Sequence, residues 1–181
     1  MVNYIKDLEN EQILGKITNA FGIALPAGSY GAFDLIFTQN SIFAEFVEEG
    51  PKIWSTFRSN RLSEDEANKE VTAFQDYVAK GKLLNKGSAS AFLPRGAKSL
   101  VTLKYDYNAI SKIVVQPFTP TLTFGIGFSK PILRCTMVDI RKGWLPSIRF
   151  VSKFLIDERQ TQNVTEFLKG TPASGKVVVT H

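Results

Sequence analysis

Thr121-Leu122-Thr123-Phe124-Gly125-Ile126-Gly127-Phe128 alternates large apolar residues with small ones at a period of two. That period puts Leu122, Phe124, Ile126 and Phe128 on one side of an extended strand. Gly125 and Gly127 leave the other side bare for close approach by a backbone or a ligand. Outward from this segment the same period recurs. Leu100, Thr102 and Lys104 alternate with Val101, Leu103 and Tyr105, and Ile113-Val114-Val115 forms an apolar run expected to break at Pro117 and Pro120. Residues 132–140 and 147–156 continue the series, with 141–146 as a turn between them. Upstream, residues 32–37 and 41–47 read as strands bounded by Gln39-Asn40 and Glu49-Gly50-Pro51, with residues 52–58 returning as a third. Residues 176–180 add a terminal strand. Short strands joined by brief turns argue for an antiparallel sandwich or barrel rather than parallel units with crossover helices.

Helical periodicity is clearest over residues 63–80. Ser63 and Glu66 have the spacing of a capping box, in which each side chain satisfies a free backbone N–H at the helix start. Ala67, Val71, Phe74 and Val78 form an apolar stripe with Tyr77 beside it, and Gly81 stands ready as the stop. Residues 3–21 carry Ile5, Leu8, Ile13, Leu14, Ile17 and Phe21, and are expected to form a first helix despite Gly15. The Gly- and Pro-rich residues 22–31 read as a loop, and residues 164–168 as a short helix or strand. The fold class expected is therefore α+β and β-rich, a single domain over residues 1–181. An extended arm of small residues is expected at 83–97 and a tail at 171–181.

The chain's 181 residues are enough to bury a core without disulfides or metals. Its 44% hydrophobic and 22% charged residues exclude disordered, collagen-like and coiled-coil classes. Cys135 is the one cysteine and His181 the one histidine, which removes disulfides, Cys-rich zinc clusters and most Ser-His or Cys-His catalysis. The acidic first residues lack the apolar stretch of a secretory signal, and no apolar run approaches the ~20 residues needed to span a bilayer. A cytoplasmic or virion location, without membrane contact, is the expectation. The Asn163-Val164-Thr165 sequon carries little weight, because three-residue matches are frequent by chance.

Candidate chemistry is sparse. Gly15-Lys16, Gly81-Lys82 and Gly175-Lys176 lack both the following Ser/Thr and the preceding Gly of a phosphate loop, and Gly125-Ile126-Gly127 lacks the third Gly of a dinucleotide fingerprint. No cofactor and no metal are expected. Asp34, Asp106 and Asp139 are the acids in apolar surroundings, where burial can raise a carboxyl pKa for acid–base work. Asp106 fits a turn at Tyr105–Asn108, and Asp139 fits a pair with Arg134 or Arg141. Cys135, next to Arg134, fits a small core residue better than a reactive thiol.

Charge divides the chain. Residues 1–90 hold 9 basic against 12 acidic residues, net −3; residues 91–129 are net +3 and residues 130–181 net +5. Arg141, Lys142, Trp144, Arg149 and Lys153 form the candidate partner-binding set in the basic third 130–181, interleaved with Phe150 and Phe154 in the manner of a single-stranded nucleic-acid platform. Against that, Phe150 and Phe154 share the register of Ile148 and Ile156, the inward side of a strand. The 14 phenylalanines are a large apolar load for this length, and suggest burial between subunits as well as within one.

One capped helix at 63–80 followed by the strands of 98–156 resembles the tail-tube and baseplate proteins of bacteriophages. The resemblance rests on the order of elements over about half the chain and assigns no functional residue. It implies a non-enzymatic structural or assembly subunit whose partners are copies of itself or other subunits. The alternatives are a nucleic-acid-binding module using the basic third, and a hydrolase or transferase using Asp34, Asp106 or Asp139.

Overall fold

Ile13, Ile17 and Thr18 are β-branched, and Gly15 and Gly22 lower helix propensity further, so the segment read as a helix over 3–21 divides. The computed structural model describes residues 3–24, 31–47, 64–85, 100–118, 121–124, 128–131, 135–143 and 150–180. In it only Ile5–Glu9 is helical (α1), and Ile13–Ala24 is a twelve-residue strand (β1). Gly31–Thr38 (β2) and Ser41–Val47 (β3) form as the strands expected on either side of Gln39-Asn40, and they pair antiparallel as a hairpin. Residues 52–58, expected as a third strand, lie outside the described residues, as do Ser63 and most of the arm.

The helix expected at 63–80 forms at Glu64–Ala79 (α2). Beyond it, Leu83–Asn85 (β4), where the arm was expected to start, instead pairs antiparallel with β1. Leu100–Asp106 (β5) leads through a 3-10 turn at Tyr107–Ala109 into Ile110–Phe118 (β6). The break expected at Pro117 does not occur, because Pro117 stands opposite Thr136 where the strand on the other side has already ended. Thr121–Phe124 (β7) and Phe128–Pro131 (β8) pair antiparallel with Phe124 opposite Phe128. The continuous strand expected over 121–128 is thus two antiparallel strands, with 125–127 outside the described residues.

Cys135–Lys142 (β9) and Phe150–Asp157 (β10) are followed by a short helix, Thr161–Leu168 (α3), and by Val177–Val179 (β11). The main sheet runs β11-β6-β9-β10-β1-β2-β3-β5, with β4 attached to β1. Every pairing is antiparallel except β11 with β6, so the sheet is mixed. It is also open, since β11 and β5 are its two edges. Neither a second facing sheet nor a closed barrel forms among the described residues. It does curl. Tyr107–Ala109, a link of at most about 10 Å, joins β5 at one edge to β6 near the other. Lys142 Nζ of β9 accordingly reaches across to donate to the Lys104 carbonyl of β5, at 2.8 Å.

The inner face of the curl carries the main core. Ile17, Leu35, Phe37, Ile42, Tyr105, Ile113, Val138 and Phe154 pack there with Val164 and Leu168 of α3. Phe167 of α3 lies over Gly15 so closely that a Cβ there would come within 2.2 Å of its ring, which is why β1 carries glycine at this point. The outer face has two smaller patches. Phe74 and Val78 of α2 cover Phe21, Met137 and Leu155, with Phe21 and Phe74 edge to face at 5.4 Å. Leu8 of α1 covers Ile36, Phe43 and Val101. Of residues 171–181, expected as a tail, the described 171–180 are joined to the core through the fully buried Ala173 and through Lys176 Nζ, which donates to the Tyr107 carbonyl.

Candidate functional site: a buried lysine between two carboxylates

Strand register puts three charged residues of β1, β2 and β3 on the outer face. Asp34 stands directly opposite Glu45 in the β2–β3 pair, and Lys16 stands opposite Ile36, one diagonal step from Asp34. The Lys16 ammonium lies 2.7 Å from Glu45 Oε2 and 3.1 Å from Asp34 Oδ2. All three are closed to solvent, with side-chain exposures of 1%, 0% and 0%. Burying ions is costly unless each is paired and hydrogen-bonded, so this cluster persists only because its geometry is satisfied.

A backbone irregularity completes it. The β1–β2 register shifts between Ile17 and Ala20, and Asn19 within that bulge has φ 62, a left-handed conformation that asparagine tolerates better than most residues. The conformation turns the Asn19 backbone N–H onto Asp34 Oδ1 at 3.1 Å, while its side-chain amide donates to the Tyr77 carbonyl of α2 at 2.9 Å. Asp34 therefore has one oxygen held by a backbone donor and the other facing the lysine. Ile36, Phe43 and Val101, each fully buried, share this face of the sheet.

A second charged cluster lies at the β2–β3 turn and is wetter. Lys104 approaches Asp7 at 3.1 Å, Asp106 at 3.4 Å and Glu11 at 3.8 Å, with Asp7 and Asp106 about half exposed. Burial acts against the Lys104 charge, but Asp7 and Asp106 outweigh it and hold its pKa above the ordinary lysine value. Ser41 Oγ lies between Glu11 and Asp106, and Thr38 Oγ1 also meets Glu11. Asp106 is thus the lead-in to a turn, as its sequence context suggests.

Asp139 is bound by Arg141, whose Nη2 and Nε donate to Oδ2 at 2.9 and 3.3 Å. The hydrogen bond and charge of Asp139 raise the Arg141 pKa in return. Asp139 Oδ1 is buried without a hydrogen-bond partner, and Lys153 occupies the position opposite it on β10. Within the candidate partner-binding set, Arg141 and Lys142 do not share a face. Arg141 and Lys142 are adjacent in a strand and so point to opposite sides. Lys142 turns inward over the Tyr105 ring at 4.8 Å, where burial lowers its pKa. Trp144 and Arg149 lie outside the described residues. Phe154 and Ile156 are core, as their register implies.

Cys135 is a buried free thiol whose pKa is pushed up to about 11 by burial and by the nearby Asp157 and Glu158 charges. It is held protonated, the opposite of a reactive cysteine. The described residues include no group of three or more His, Cys, Asp or Glu able to hold a metal, and no helix long and apolar enough to cross a membrane.

Asp34 is the one member of the buried cluster that sequence reasoning singled out. Lys16 lies in a segment whose apolar spacing also fits a helix, and Glu45 sits in a strand that is otherwise apolar. The available signal was a lone charge inside each of three apolar strands, visible only once the three are aligned. No protein-family model, curated protein or solved structure matches the chain.

Proposed function

We propose that the chain is a non-enzymatic structural subunit that assembles with copies of itself or with other subunits, of the kind found in bacteriophage tails and baseplates. The observation that carries this reading is the edge strand β11. Its residues Val178 and Val179 are the exposed large hydrophobics among the described residues, at 37% and 39%. Among the described residues β11 pairs on one side only, with β6. An apolar strand with an unpaired backbone edge is a template for strand addition by another chain. The acidic first half and basic last third support head-to-tail contact between copies, which yields rings when the rotation closes and filaments when it does not.

Nucleic-acid binding receives less support, because Arg141 is committed to Asp139 and Lys142 to a main-chain carbonyl. On the assembly reading the subunit is made in the cytoplasm and ends in a particle. Size-exclusion chromatography with light scattering tests it on the full chain and on Val178→Lys/Val179→Lys. The expected result is an oligomer, ring or filament that the double substitution dissociates without loss of circular dichroism. A wild-type monomer at high concentration contradicts the reading.

A further inference from the structure

The Lys16–Asp34–Glu45 cluster has the parts needed to join two strands covalently. We propose that Lys16 Nζ and Asp34 Cγ form an intramolecular amide, with Glu45 carrying protons for the reaction. The modification is internal to one chain and does not depend on what the chain assembles with.

Three observations converge on it. Lys16 Nζ lies 3.1 Å from Asp34 Oδ2 across neighbouring strands of the β1–β2–β3 ladder, so strand pairing holds the amine and the carboxyl in direct contact. Glu45 Oε2 is 2.7 Å from the same nitrogen and is fully buried, positioned to take a proton from it. The Asn19 backbone N–H is fixed on Asp34 Oδ1, the oxygen that gains negative charge when the carbonyl is attacked. The left-handed conformation at Asn19 that aims this donor is the one positive φ at a non-glycine residue among those described.

The atoms balance without any oxidant or co-reactant. One proton passes from the Lys16 ammonium to Asp34 Oδ2, giving a neutral amine and a carboxylic acid in a site where separated ions are costly. The amine lone pair attacks Asp34 Cγ, forming the N–C bond and placing the carbonyl π pair on Oδ1 under the Asn19 N–H. Glu45 removes a second proton from the nitrogen and passes it to the Oδ2 hydroxyl. The Cγ–Oδ2 bond breaks, one water leaves, and the electron pair on Oδ1 restores the carbonyl. Glu45 ends as it began, and the third lysine proton remains as the amide N–H, which donates to Glu45. The product replaces a buried ion pair with a neutral, hydrogen-bonded amide. The surrounding Ile36, Phe43 and Val101 keep bulk water from reversing it.

Intact-mass measurement on the purified full chain tests this, followed by digestion at Phe21, Tyr30 and Phe33, which lie between the two residues. The expected result is a mass lower than the sequence mass by one water, and a branched peptide joining Lys16 to Asp34. Glu45→Gln is expected to keep the full mass while retaining the wild-type circular dichroism spectrum. A wild-type chain at full sequence mass overturns the proposal, as does a lost water that maps anywhere else. Dehydration that persists in Glu45→Gln removes Glu45 from the reaction. If that variant does not fold, the wild-type mass and branched peptide decide the question alone.

Discussion

Two lysines of this protein each face several carboxylates, and the two sites behave as different materials. Lys16 meets Asp34 and Glu45 with at most 1% exposure, whereas Lys104 meets Asp7 and Asp106 at side-chain exposures of 20%, 47% and 56%. Around Lys104, water and salt screen the charges, and the side chains give up conformational freedom to meet. Exposed pairs of this kind contribute under about 1 kcal/mol. Around Lys16 there is no solvent to replace a missing partner. Residue type and distance are nearly the same, so burial alone separates a surface decoration from a site with chemical consequences.

The sharpest way to break this contrast is to remove each lysine. Lys16→Met leaves two buried carboxylates without it, and a loss of about 3–5 kcal/mol is expected in urea denaturation. Lys104→Met, measured the same way, is expected to lose under about 1 kcal/mol, and to approach no effect in high salt. Equal losses would mean that burial does not distinguish the sites.

The apolar patches provide a reference for the size of that effect. Phe74, 1% exposed, packs its ring against Phe21, so Phe74→Ala is expected to cost about 3–5 kcal/mol. A denaturation midpoint unmoved by this change would detach α2 from the core. Gly15→Ala comes next. Its new Cβ meets the Phe167 ring, and about 1–3 kcal/mol is expected from overpacking. Combining it with Phe167→Ala is expected to cost less than the two single changes together, because the clash disappears with the ring.

The smallest effect concerns pH. The Cys135 thiol pKa rises from 9.0 to about 11 on folding, so the folded state holds this proton more tightly than the unfolded state. The thiol contribution is full below pH 9 and declines as pH rises toward 11, since the unfolded chain releases its proton first. Stability curves of wild type and Cys135→Ala are therefore expected to converge or cross in that window. Parallel curves would show that the thiol titrates alike in both states.

What sequence could reveal follows the range of the interactions involved. α2 is legible because its stripe and flanking charges act within a few residues, and β2 and β3 because each is a short apolar run bounded by turn residues and a tight turn pairs them. β1 is ambiguous in sequence because Ile13, Leu14 and Ile17 satisfy a helical spacing as well as a strand. Its strand state is fixed by β2, β4 and β10, whose partners come from residues 31–38, 83–85 and 153–155. Pairing at such separations leaves no mark on the segment itself. The parallel β11–β6 contact and the curl that brings Lys142 to β5 were hidden for the same reason. Residues 121–131 differ in kind, since an unbroken period of two over 121–128 fits one strand as well as two strands paired with each other.

The most direct measurement of the account is a double-mutant cycle on Lys16 and Asp34, run beside one on Lys104 and Asp7. Lys16→Met, Asp34→Ala and the double variant are compared with wild type by chemical denaturation. A coupling of at least about 2 kcal/mol is expected for the buried pair, within the range seen for residues of one network, and under about 0.5 kcal/mol for the exposed pair. Couplings of equal size at the two sites would contradict it.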